Sequence, residues 1–119
     1  MDVINLAEKF ASFDDAWSPK LVATLNGFDV KLAKLRGAFV WHSHAEEDEL
    51  FLVVKGRLAI KLRGGEVTLE PGEMVVVAHG VEHMPVADGE AHVLLFERRG
   101  TINTGDVREE RMVLDPQRI

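Results

Sequence analysis

The chain of 119 residues contains no cysteine. Disulfides, thiol nucleophiles and zinc–thiolate sites are therefore excluded, while the redox compartment stays open. Tyrosine is absent as well, so no tyrosyl acid or radical can serve. No apolar run approaches membrane-spanning length, and no membrane partner is expected. The start, MDVINLAEKF, lacks a basic region followed by an apolar core, so it does not read as a secretory signal. A cytoplasmic protein is the default expectation. Lys/Arg clusters are missing too, and the net charge is −6. Phosphate-backbone binding needs a basic footprint, so nucleic acid is not expected as a partner.

What is present describes one globular domain. The 46% hydrophobic content is ordinary for a folded protein. The length suits a single core. We divide it into an N-terminal arm (1–19), a strand-rich body (20–99) and a C-terminal tail (100–119).

Asn5 can cap a helix, with Glu8 three residues on as in a capping box. Leu6, Phe10 and Phe13 recur near helical spacing, which predicts a short helix over about 6–13. The alternative is an irregular arm whose aromatics plug a barrel end or a partner subunit. Trp17-Ser18-Pro19 stops any helix. Strand patterns follow. Residues 21–25 and 28–35 flank Asn26-Gly27, the strongest short hairpin signal. Phe39 to His44 read as the next strand. Residues 50–54 are apolar without alternation, as in a strand buried on both faces, and 74–77 repeat this. Leu58, Ile60 and Leu62 alternate with polar or small residues. Gly64-Gly65, Pro71-Gly72 and Asp88-Gly89 read as turns, the last leading into a strand over 92–96. Short strands with turn chemistry between them predict an all-β sandwich or barrel. The tail turns polar after Gly100; it could add an edge strand or lie across a neighbour.

The chain is organised around WHSHAEEDELFLVVKG, from Trp41 to Gly56. His42 and His44 are two apart, so on an extended chain both imidazoles reach one side. Glu49 has the wrong parity for one unbroken strand. The polar segment 45–48 can end the first strand and let Glu49 open the next, facing the imidazoles again. Two imidazoles and a carboxylate suit a divalent transition metal. His83, in GVEHMP, is the natural fourth ligand.

This stretch resembles the first motif of the cupin family: glycine, a spacer, His-x-His, three or four residues, Glu, six residues, glycine. Gly37 supplies the first glycine, one residue nearer the histidine than usual. Gly72, Gly80 and His83 match the second cupin motif in register, with Ala78 and Ala87 where proline and asparagine are usual. The resemblance covers about residues 37–96. It implies an all-β double-stranded β-helix, a jelly-roll barrel, carrying a short N-terminal helix or arm. It implies one divalent transition metal (Fe, Mn, Ni or Zn) held by His42, His44, Glu49 and His83.

Other polar residues receive blander readings. Asp48 fits the looser motif spacing, but Glu46, Glu47 and Asp48 are expected to be solvated acids. His79 is expected at the surface, and His92 to be structural. Trp41 should face away from the metal, with Val40 and Phe51 as pocket walls. Catalytic residues beyond the metal ligands are not assignable, and acid/base groups other than the ligands are few. Cupin metal sites serve dioxygenases, decarboxylases, sugar-phosphate isomerases and non-catalytic binding proteins. The mostly apolar walls favour a small organic molecule that chelates through oxygens, with dioxygenase-like chemistry first and binding without turnover as the alternative. An isomerase would need cationic residues in the cavity. Those of the Arg57–Arg63 stretch are expected to point outward, which lowers that reading. Strands apolar on both faces also predict a homodimer, with Phe10, Phe13 and Trp17 of the arm on or near the partner.

Overall fold

The computed structural model describes residues 1–119. One helix, α1 (Leu6–Ala11), precedes seven strands: β1 (Lys20–Leu25), β2 (Phe28–Ala38), β3 (Glu49–Lys55), β4 (Leu58–Leu62), β5 (Gly65–Leu69), β6 (Met74–Val77) and β7 (His83–Arg98). Asn5 caps α1 by accepting the Glu8 amide at 3.0 Å. The helix is shorter than its periodicity predicts, because the Ser12 amide and hydroxyl both turn back onto the Lys9 carbonyl.

Every strand pair is antiparallel. The order is β1-β2-β7-β3-β6, with β4 joining β7 to β5. The all-β barrel with a short N-terminal helix agrees with the sequence. The long strand β7 closes it. Residues 83–87 of β7 pair with β4, and 90–98 pair with β2 and β3. Between them the register jumps at Arg36/Gly37, and β7 bends around Asp88-Gly89 from one side of the barrel to the other. The hairpin expected at Asp88-Gly89 is thus a bulge inside one strand. Both devices use a glycine at positive φ, here 88° at Gly89, so local sequence does not separate them.

Two other expectations change. β2 ends at Ala38, and Phe39 to His44 continue as extended chain rather than a full strand. Backbone bonds still hold this segment: Phe39 donates to Pro85 at 2.9 Å, and His42 and His83 exchange bonds of 3.0 and 2.9 Å. β6 is buried on one face only. Val77 points inward, while Met74 and Val76 are 61% and 56% exposed.

Inside the barrel, Phe51, Val53, Leu58, Ile60 and Val93 form the centre of the core. Outside, α1 covers β1 and β2 by setting Phe10 against Val22 and Leu32. Phe10 also stacks on His92 at 4.6 Å, so His92 is the structural histidine expected. Trp17, at φ 58°, closes a barrel end; its amide donates to Lys34 and its indole to Arg36 at 2.9 and 2.8 Å. Phe10 and Trp17 of the arm are thus buried against their own chain. The tail returns to the edge of β1, where Ile119 donates to Leu21 and Leu21 to Gln117. No helix is long and apolar enough to cross a membrane.

Candidate metal centre

The bridge between His42 and His83 brings together two histidines far apart in sequence. Each also uses its own backbone neighbourhood to fix its ring. His42 Nδ1 lies 2.9 Å from the Val40 carbonyl, and His83 Nδ1 lies 2.9 Å from the Val81 carbonyl. A carbonyl only accepts, so Nδ1 carries the hydrogen in both, and Nε2 is left with its lone pair. This is the tautomer a metal-ligating imidazole needs, oriented by a carbonyl behind it. Burial lowers the His42 pKa to about 4, so that imidazole is neutral at ordinary pH.

His44 enters from the far side of Ser43, and Glu49 opens β3 as the parity argument requires. Glu49 Oε1 lies 3.4 Å from His44 Nε2 and 3.6 Å from His83 Nε2. One ligand atom from each of His42, His44, Glu49 and His83 lies within 4.8 Å of all the others, and all four residues are buried. His44 Nε2, His83 Nε2 and Glu49 Oε1 have no hydrogen-bonding partner. Orphaned buried polar atoms of this kind are costly unless something binds them. Three imidazole nitrogens and a carboxylate oxygen fit a divalent transition ion.

The charges are shared around this cluster. Burial pushes His44 down, but the Glu49 carboxylate beside it outweighs this and raises it. Burial works to raise Glu49; the neighbouring His44, His83 and Glu97 side chains outweigh it and hold Glu49 well below the usual carboxylate range. Glu97 goes the other way: burial, then the Glu49 charge, push it well up, against the pull of Lys31.

Glu97 and Lys31 are the polar groups that sequence reasoning missed. Lys31 Nζ donates to Glu97 Oε1 at 2.9 Å and to the Thr101 carbonyl at 3.1 Å, inside the barrel. Parity held the signal: Ala91, Val93, Leu95 and Glu97 share the inward face of β7. The run Glu97-Arg98-Arg99 instead looks like a charged exit from the sheet.

The other assignments hold with one exception. Asp48 is exposed and accepts the His79 amide at 2.8 Å, so it is no ligand, and His79 is a surface residue. Trp41 faces away from the ligands, under the Arg63 guanidinium at 3.9 Å. Arg57 and Arg63 point outward and pair with Glu70 and Glu82. Phe51 is a pocket wall as expected. Val40 packs against the core and contributes its carbonyl to His42 instead.

Beside the cluster lies a small cleft, with a cavity volume of about 30 Å³, walled by Trp17, Leu35, Phe39, Phe51 and Leu95, with His42 and Glu49 at one end. Trp17 stacks on Phe39 at 4.5 Å, and the Arg111 guanidinium of the tail covers the Phe39 ring at 4.8 Å. Asn103 also lines the cleft, but its amide is occupied, donating to the Arg111 carbonyl and accepting from the Val113 amide. The tail is fastened to the ligand segment itself. Asp106 accepts the Ser43 amide and donates its own to the Ser43 carbonyl, at 3.0 and 3.1 Å. Gly105 sits so close that a Cβ there would strike the Ser43 carbonyl and come within 3.0 Å of the His42 ring.

Comparison with known proteins agrees with this geometry. A curated protein of Bacillus subtilis (strain 168), "Uncharacterized protein YdbB", is 31% identical over 80 residues, which is 66% of this chain and 65% of that protein's length. A solved cupin-2 domain containing protein from Shewanella frigidimarina is 45% identical, with a TM-score of 0.81 over 82% of this chain and 95% of that one. Protein NMB1881 from Neisseria meningitidis is 32% identical, with a TM-score of 0.75 over 82% of this chain and 99% of that one. The family model described as "Cupin domain" matches residues 29–97. This chain belongs to the cupin domain family.

Proposed function

We propose that the protein binds one divalent transition metal and acts there on a small organic molecule that chelates through oxygens, with dioxygenase-like chemistry. One observation carries the reading: unpartnered buried ligand atoms converge at the end of an apolar cleft. Iron, manganese, nickel and zinc all accept this donor set. A bound ion supplies Lewis acidity and, if it is iron, access to dioxygen chemistry. The chain's own part is to fix the imidazoles through Val40 and Val81, to exclude water with Trp17, Phe39 and Phe51, and to hold the apolar body of the ligand.

A second reading, binding without turnover, is favoured by the cleft's polar inventory. Its polar lining residues are His42, Glu49 and Asn103; two are ligands and the third is tied into the tail. Acid/base work is thereby left to the metal or is not done. Sugar-phosphate isomerisation is disfavoured, because the cleft lining contains no Lys or Arg.

Elemental analysis of purified protein comes first. Iron(II)-loaded protein is then offered a panel of catechols, enediols and 1,3-dicarbonyls, with and without air. Oxygen uptake that Glu49→Ala abolishes supports the enzyme. Spectral change without turnover supports the binding protein. Silence across the panel counts against both.

A further inference from the structure

On the outer face of the barrel, three adjacent strands set nitrogen-bearing side chains in one row. Lys34 on β2 stands opposite His92 on β7, and His92 stands opposite Lys55 on β3. Lys55 joins this row because of a bulge. In an unbroken β3 it would share the inward face of Glu49, Phe51 and Val53, which are buried. The register slips between Val53 and Lys55, so Val54 is an extra residue and Lys55 turns outward beside His92. Two ammonium groups flanking one imidazole make a locally positive strip on a chain whose net charge is −6. Neighbouring acids offset it little. Asp14 is fully exposed and comes no nearer than 4.0 Å to Lys34 Nζ. Glu90 Oε2 lies 3.4 Å from His92 Nε2. Lys55 makes no ion pair. Lys34 is buried and gives one hydrogen to the Phe13 carbonyl at 2.6 Å, which leaves two.

Over this row α1 leaves an open groove of about 430 Å³, lined by Lys34, Lys55 and His92 on one side and by Phe10, Ala11 and Val54 on the other. The Phe10 ring lies on the His92 ring at 4.6 Å. Ala7 and Ala11, one helical turn apart on the same face, also border the groove and are too small to fill it. We propose that this groove binds a small organic carboxylate with a compact apolar body. The ammonium groups of Lys34 and Lys55 take the carboxylate, and Phe10, Val54 and the two alanines hold the body. Inorganic phosphate would match the charge but leave the apolar wall wet. A neutral apolar molecule would leave the cations unpaired. The volume accepts a molecule the size of benzoate. None of His42, His44, Glu49 and His83 borders this groove, so the inference does not depend on the metal-binding reading.

The test titrates benzoate into the full chain at constant pH and ionic strength, with benzamide and inorganic phosphate as controls. A carboxylate could also find a bound metal, so the protein is first treated with a chelator. Backbone amide shifts by NMR then locate the binding. We expect saturable shifts at Ala11, Val54, Lys55 and His92 with benzoate at millimolar concentration, and none that saturate with benzamide or phosphate. Lys55 is exposed, so Lys55→Glu keeps the fold. It should weaken benzoate binding by about tenfold or more, as expected when a charge-assisted contact is lost and reversed. Lys61→Glu, on β4, makes the same change in net charge away from the groove and should leave the affinity as it is. Lys34→Met tests the buried cation, and the Lys55 arm stands even if that variant does not fold. Wild-type affinity in Lys55→Glu, or equal weakening in Lys61→Glu, overturns the inference. Shifts confined to residues 42–49, or a response that never saturates, overturn it too. So would the same amides shifting with protein concentration alone, since a second copy would then fill the groove.

Discussion

At the scale of single residues, His42 combines two requirements of a metal ligand: a fixed tautomer and a neutral ring. The second has a cost in acid. Its pKa falls from 6.5 to about 4 on folding, so between these values the unfolded chain binds a proton that the folded one refuses. Its contribution to stability is therefore lost as pH falls from 6.5 toward 4, by about 3 kcal/mol in all. His44 shifts in the opposite direction and partly offsets this in the total. Metal-free His42→Gln isolates the His42 part. Its stability relative to wild type should rise across this window in urea titrations, and a constant difference would contradict the assignment. The fourth ligand is tested by metal content. His83→Ala should lose far more metal than His79→Ala, because His79 is exposed and bonded to Asp48; equal retention would show the wrong ligand. The convergence of His42, His44, Glu49 and His83 was legible in the sequence because the reach of His-x-His depends only on the chain being extended. That survived even though residues 39–44 form no full strand. Glu97 and Lys31 were not legible, because their inward direction depends on pairing across β2, β7 and β3.

At the scale of elements, the connection between the tail and the ligand segment decides how well the site holds its shape. Gly105 has φ 59° and no room for a Cβ against Ser43 and His42. Gly80 has φ 79° but open space around it. Gly80→Ala should therefore lose only the backbone penalty, about 1 kcal/mol. Gly105→Ala should lose more, and should also weaken metal binding by moving the His42 ring. Thermal melts with metal titration of both variants separate the two effects; equal losses would mean the tail is not seated as described. Element existence was largely readable from turn chemistry and alternation. The Asn26-Gly27 hairpin and the Asn5 cap are where local rules place them. Element continuity was not readable. Asp88-Gly89 serves a bulge as readily as a turn, and only the partners of β7 on both sides distinguish the two.

At the scale of the whole molecule, one apolar face lacks cover. Leu50 pairs with Val76 and Phe96, and Leu52 with Met74 and Leu94, on the outer side of β6, β3 and β7. Met74, Val76, Val54 and Phe28 are exposed there. We propose that a second copy covers this face, since contiguous apolar surface commonly marks an interface. Sedimentation at micromolar concentration should show a dimer, and Met74→Lys/Val76→Lys should shift it to monomer with the barrel intact. A wild-type monomer would remove the proposal. The same long-range pairing that builds the barrel also sets when the centre can exist. His42 meets His83 only once β7 has docked, and Gly105 seats against His42 only after the tail has followed. Contacts of such sequence separation form slowly. An ion recognising the finished cluster therefore finds no foothold in the early folding chain. It should leave the refolding rate nearly unchanged and slow unfolding instead, making the metal a brake on the exit from the native state rather than a guide toward it.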